Sequence, residues 1–208
     1  MKPRRALNSD VIHMPSWKQV LKNFDKRLDH DEIDEFLDHL NASLNRRIKR
    51  LEEEERTLSP EQFEDPRDID GYRDHLGDLA ASVYAAKALG DELSIIALYK
   101  KVEAHTVRVV KKKVPTAATA NLSYFKQLCG ALPFDIKTVD GFAGFNELRL
   151  LNNSIKHEEK VSPELAKEFP LWTRGAELSE LDKAFQRLLP EVKKYVADLA
   201  ERLYAAAP

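Results

Sequence analysis

Cysteine is nearly absent: Cys129 is the only one in 208 residues. A lone thiol excludes an internal disulfide and every zinc module built on several cysteines. It also makes a reducing cytoplasm the expected compartment. Glycine is scarce, at 7 residues. Neither a Gly-x-Gly-x-x-Gly turn nor a phosphate-binding loop occurs, and no Gly-x-Ser-x-Gly nucleophile elbow is present. No apolar run approaches the roughly 18 residues of a membrane span. No leader pattern follows Met1, so neither a membrane nor a secretory route is expected. An excess of one charge is missing too: 33 Lys and Arg against 35 Asp and Glu leave −2. Without a global positive field, any nucleic-acid site has to be a local patch.

What the chain does have is helical periodicity. Residues 1–16 carry two prolines and no period, so they read as a flexible arm ahead of one domain over 17–208. From Trp17 the pattern turns helical. Ile33, Phe36, Leu37, Leu40, Leu44, Ile48 and Leu51 keep an i, i+3, i+4, i+7 stripe. That predicts a long helix, capped by Asp29 or Asp31 and ending near Thr57, as one arm of an antiparallel pair. A second stripe joins Ile69, Tyr72, Leu76, Leu79, Val83 and Leu89. Gly90-Asp91 then reads as a break, with Asp91 capping a further helix that stops before Pro115. Shorter helices are expected over 116–132 and 145–157, and another begins at Ser162-Pro163, a cap followed by Pro at the first helical position. A last helix runs from about Glu177 to Ala206 and should kink or split at Pro190. No strand pattern is visible. The fold expected is all-α, an antiparallel bundle of five to seven helices.

Most candidate sites read as structural. Asp31, Glu35 and His39 stack at helical spacing, but a solvated acidic face explains them better than a metal site. Cys129 in its apolar context reads as a packed thiol, His105 as a partly buried polar group, and Trp17 and Trp172 as packing residues. Arg46, Arg47, Lys49 and Arg50 precede Glu52 to Glu55. They read as a salt-bridged exposed helix, with a phosphate-contacting patch as the sharper alternative.

The segment Phe145 to His157 is different. At about 100° per residue, Asn146, Arg149, Asn152, Asn153, Lys156 and His157 fall within a sector of roughly 140°. Leu148, Leu150, Leu151 and Ile155 lie on the other side. Asparagines are poor helix formers, so their placement here suggests a use. His157 can shuttle a proton near neutral pH, and the nearby cations suit developing phosphate charge.

The run Asn152-Asn153-Ser154-Ile155-Lys156-His157, with Glu147-Leu148-Arg149-Leu150 just before it, resembles the HEPN superfamily. These are small helical bundles, usually dimeric. Many are ribonucleases of toxin–antitoxin and antiphage systems that cleave RNA without metal, through attack by the ribose 2′-hydroxyl. Their signature is an Arg, often followed directly by Asn or Asp, and then a His after four to six intervening residues. His157 takes the place of that His and Asn153 the place of the polar residue. Asn152 stands where the Arg would be, while Arg149 precedes His157 by seven intervening residues. The resemblance implies a homodimer acting on RNA, without cofactor or metal, with a protein partner or antitoxin as a further expectation. In it His157 is the general acid or base, Arg149 and Lys156 hold the phosphate and Asn153 positions it. Asn152, Asn146 and the patch Arg46, Arg47 and Arg50 would contact RNA. The alternative is a non-catalytic module of the same fold that binds nucleotide, RNA or a protein, which Asn152 in place of Arg favours.

Overall fold

The computed structural model describes residues 16–206. The expected flexible arm lies outside the described residues except for Ser16, whose side chain caps the first helix by accepting from the Gln19 N–H. Among the described residues there are seven α-helices and no strand, only an isolated bridge between Lys160 and Glu177. The helices are α1 (Trp17–Asp25), α2 (Asp31–Arg56), α3 (Asp68–Lys113), α4 (Phe125–Ala131), α5 (Phe142–His157), α6 (Pro163–Glu168) and α7 (Leu181–Ala206). The chain is all-α, as its periodicity predicts. None of the described helices is long and apolar enough to cross a membrane.

The fold has two parts. In the body, α3, α5 and α7 pack on one another, with α1 laid against α7 and α6 against α5. Its core includes Leu98, Val102, Leu148, Leu151, Leu188, Tyr195 and Leu199. Phe145 and Tyr195 stack with ring centroids 4.3 Å apart. The other part is an antiparallel hairpin of α2 and the first half of α3. It has a separate small core of Leu51, Leu76 and Val83, flanked by Leu44, Ile48, Tyr72 and Leu79. The hairpin closes through a 3₁₀ turn at Pro60–Gln62.

Several boundaries differ from the sequence reading. No break occurs at Gly90: α3 runs on for 46 residues, roughly 69 Å. The side chain of Leu40 occupies the place where a Cβ on Gly90 would sit. Gly90 is therefore the point where α2 and α3 press together, and Asp91 pairs with Lys87 at 2.7 Å instead of capping a helix. The cap of α2 is His30, with neither Asp29 nor Asp31 in that position. The region 116–132 is helical only over Phe125–Ala131, after a 3₁₀ turn at Pro115–Ala117. Pro190 does not split α7, which is assigned as one helix from Leu181. Phe185, Leu188, Val192 and Tyr195 bury one continuous stripe on both sides of the proline. That burial outweighs the missing N–H donor. Trp17 is 73% exposed, so it is not a packing residue.

Candidate functional site

Helix α5 is held tightly against α7. Gly141 precedes it with φ 76°, a left-handed conformation. A Cβ there would run into the backbone of Glu191 and Tyr195, so only glycine fits. One turn on, a Cβ on Gly144 would lie 2.5 Å from Glu191 Cβ. The helix is therefore buried on most sides. The apolar side chains Leu148, Leu150, Leu151 and Ile155 are buried as the sequence suggests. So is Asn152, at 2% exposure, although helical stepping put it at the edge of the polar sector. Its Nδ2 donates to Asn153 Oδ1 at 3.4 Å, and its Oδ1 has no partner among the described residues. Asn152 therefore cannot contact RNA directly, because packing on several faces of α5 covers that edge.

The remaining polar residues separate into two groups. Arg149 turns toward the helix N-terminus, where Nε and Nη2 donate to Asn146 Oδ1 at 3.2 and 2.9 Å. Its guanidinium lies 4.5 Å from the centroid of the Phe125 ring. Asn146, Arg149 and Phe125 line a cleft of about 250 Å³ with Lys137, Glu164 and Glu168. Asn153 is half-buried, and Lys156 and His157 are exposed in the last turn of α5. The helix ends there, as the Glu158 and Glu159 N–H groups both donate to the Ser154 carbonyl. Cations suit such a terminus. Arg149 and His157 lie about 12 Å apart along the axis, so a single chain does not bring them onto one phosphate in this arrangement.

The basic cluster lies on the hairpin. Arg46, Arg47, Lys49 and Arg50 are exposed, and among the described residues none of them forms an ion pair. The expected salt-bridged face is absent among the described residues: two of the four glutamates are engaged elsewhere, and Glu52 and Glu55 are exposed and pair with none of these cations. Glu53 pairs with Arg56 at 2.6 Å, and Glu54 accepts from the Tyr72 hydroxyl at 2.5 Å. Glu35 lies 3.6 Å from His39, both exposed. Cys129 is half-buried, and burial pushes its thiol pKa up, so it is not an activated nucleophile.

Two buried carboxylates escaped the sequence reading. Glu147 accepts two hydrogen bonds from Arg187, at 2.6 and 2.8 Å, and a third from Trp172 Nε1 at 2.8 Å. It ties α5 to α7 and to the loop after α6. A lone acid among the apolar residues of α5 was the available signal. Asp25 is fully buried and accepts from Arg108 and Lys112, each at 2.7 Å, and from the Tyr204 hydroxyl at 2.9 Å. Burial alone would raise its pKa, but the hydrogen bonds from Lys112, Tyr204 and Arg108 outweigh that and hold it low. Nothing local marks Asp25, since its nearest partner in sequence is more than 80 residues away. The chain matches no family model, no curated protein and no solved structure.

Proposed function

We propose that the chain is a HEPN-like protein that binds RNA. The observation that carries this reading is the set of exposed cations Arg46, Arg47 and Arg50, which have no ion pair among the described residues. Cations left free on an otherwise near-neutral chain are suited to phosphates. Lys156 and His157 at the open end of α5 add a second contact point. Burial of Asn152, at the position of the family's motif Arg, favours binding over turnover, and a cytoplasmic homodimer in prokaryotic defence is the setting the resemblance implies.

A second reading, metal-independent cleavage, is favoured by the exposure of His157 beside Lys156. His157 would act as general acid or base, Lys156 would hold the scissile phosphate and Asn153 would position it. A second copy would bring in Arg149 or another cation.

One experiment separates the two. Purified protein is incubated with mixed tRNA and mRNA in excess EDTA, and retention and cleavage are both followed. Binding without cleavage is expected. Replacing Arg46, Arg47 and Arg50 together by alanine should lower the slope of log affinity against log salt by about two. Cleavage that His157→Ala abolishes would establish the enzymatic reading instead. A folded protein that neither retains nor cleaves RNA at low salt would overturn both.

A further inference from the structure

A different cleft, of about 610 Å³, opens where the end of α1 and the start of α2 meet α3. Its walls include Phe24, Arg27, Asp29, Asp31, Lys101 and Arg108. Three kinds of chemistry face it. Phe24 is an apolar plate, 65% exposed, with the Arg108 guanidinium 5.4 Å from its ring centroid. Arg27 is an exposed cation in no ion pair among the described residues. Asp29 and Asp31 supply carboxylate acceptors, also without ion pairs among the described residues.

The floor of the cleft is fixed by the buried network around Asp25. His105 Nε2 lies 2.8 Å from the Asp25 carbonyl oxygen. Only a protonated Nε2 can donate there, so the neutral ring presents Nδ1 as an acceptor toward Arg108, 3.4 Å away. Arg108 is in turn anchored on the Asp25 carboxylate, and Lys101 is paired with Glu32. Such a wall needs little reordering when a ligand enters.

The combination selects the ligand. A simple anion would meet Asp29 and Asp31 and leave Phe24 bare. An apolar ligand would leave Arg27 and both carboxylates unused. A sugar alone has no need of the cations. A planar heterocycle, a set of hydroxyls and a phosphate together match the aromatic plate, the acceptors and the cation. The volume is that of a small-molecule site. We propose that this cleft binds a nucleoside phosphate, free or as one residue of an RNA. The base stacks on Phe24, the ribose hydroxyls donate to Asp29 or Asp31, and the phosphate meets Arg27.

Calorimetric titration of the full chain in low-salt buffer with EDTA tests it, using AMP, adenosine, inorganic phosphate and hexa-adenylate RNA as probes. Saturable AMP binding is expected. Phe24→Ala should weaken it about tenfold. Arg27→Ala should weaken AMP by about the same factor and leave adenosine unaffected. Both side chains are exposed, so the variants should keep the parent's circular dichroism and melting. Binding of hexa-adenylate that depends on Phe24, without binding of AMP, would identify the source as RNA and uphold the site. The proposal is overturned if phosphate alone binds as tightly as AMP. It is equally overturned if both substitutions leave the nucleotide probes unaffected, or if the folded protein binds neither AMP nor hexa-adenylate. RNA retention through the α2 and α5 cations, with no binding in this cleft, would sink this site alone.

Discussion

The same helix, α3, serves two parts of the molecule that are built very differently. Its second half crosses the body and packs against both α5 and α7. Ile95, Leu98, Val102 and Val110 there are completely buried. Its first half has α2 as its packing partner, and the buried cluster there is small, made of Leu51, Leu76 and Val83. Helical hydrogen bonds are alike in both halves. The tertiary burial is not, and burial supplies most of a helix's stability in a folded protein. The hairpin should therefore open locally at a free energy below that of global unfolding.

Matched truncations in the two cores give the largest effect. Leu151→Ala, in the body, should cost about 3–5 kcal/mol of global stability, read as a lower urea midpoint at unchanged slope. Leu76→Ala, in the hairpin, should barely move that midpoint. It should instead raise amide exchange and proteolysis within residues 44–83. Equal midpoint losses for the two variants would mean that hairpin and body unfold as one unit, and the division would fail.

Charge sharpens the same contrast. The body holds buried carboxylates, while the hairpin's ion pairs are mostly exposed and contribute little. Asp25→Asn should cost about 2 kcal/mol at neutral pH, limited because Arg108 and Lys112 are partly exposed and can turn to water. The folded carboxyl titrates below its ordinary value of 3.8. Its stabilisation is therefore complete above that pH and is lost as pH falls through the lower, folded value. The difference between parent and variant should hold steady from neutral down to about pH 5 and shrink in more acid solution. Urea titrations across that range check it, and a gap that widens on acidification would contradict the sign.

The contrast also separates what the sequence discloses from what it conceals. The stripe from Ile33 to Leu51 and the Ser162-Pro163 start of α6 are local patterns, and both are read correctly from the chain alone. The polar end of α5 at Lys156 and His157 is legible for the same reason. What is not legible depends on a second element. Gly90 sits inside α3 where a Leu40 side chain from another helix takes the space of a Cβ. Asn152 is buried because α5 is enclosed by its neighbours. Arg149 points away from His157 because Asn146 and Phe125 hold it. Asp25 meets a tyrosine 179 positions away. Periodicity gives the direction of a side chain around its own axis, but not what stands opposite it.

The smallest effect expected is a change of sign between two glycines. Gly77 lies inside the hairpin half of α3, and a Cβ added there would have no neighbour within 4 Å. Alanine there removes backbone freedom from the unfolded chain and meets no obstacle, so Gly77→Ala should stabilise the hairpin by about 0.5–1 kcal/mol. Gly144 in α5 is also helical, but its added Cβ would lie 2.5 Å from Glu191 Cβ. That atom is fixed to the backbone of α7 and cannot swing aside, so the two helices must separate. Gly144→Ala should cost about 1–3 kcal/mol despite the same gain in propensity. The readouts differ accordingly: slower amide exchange within 68–89 for the first variant, and a lower global urea midpoint for the second. Two stabilised variants would show that α5 and α7 can yield at Gly144, and that the body is less tightly packed than the distance implies.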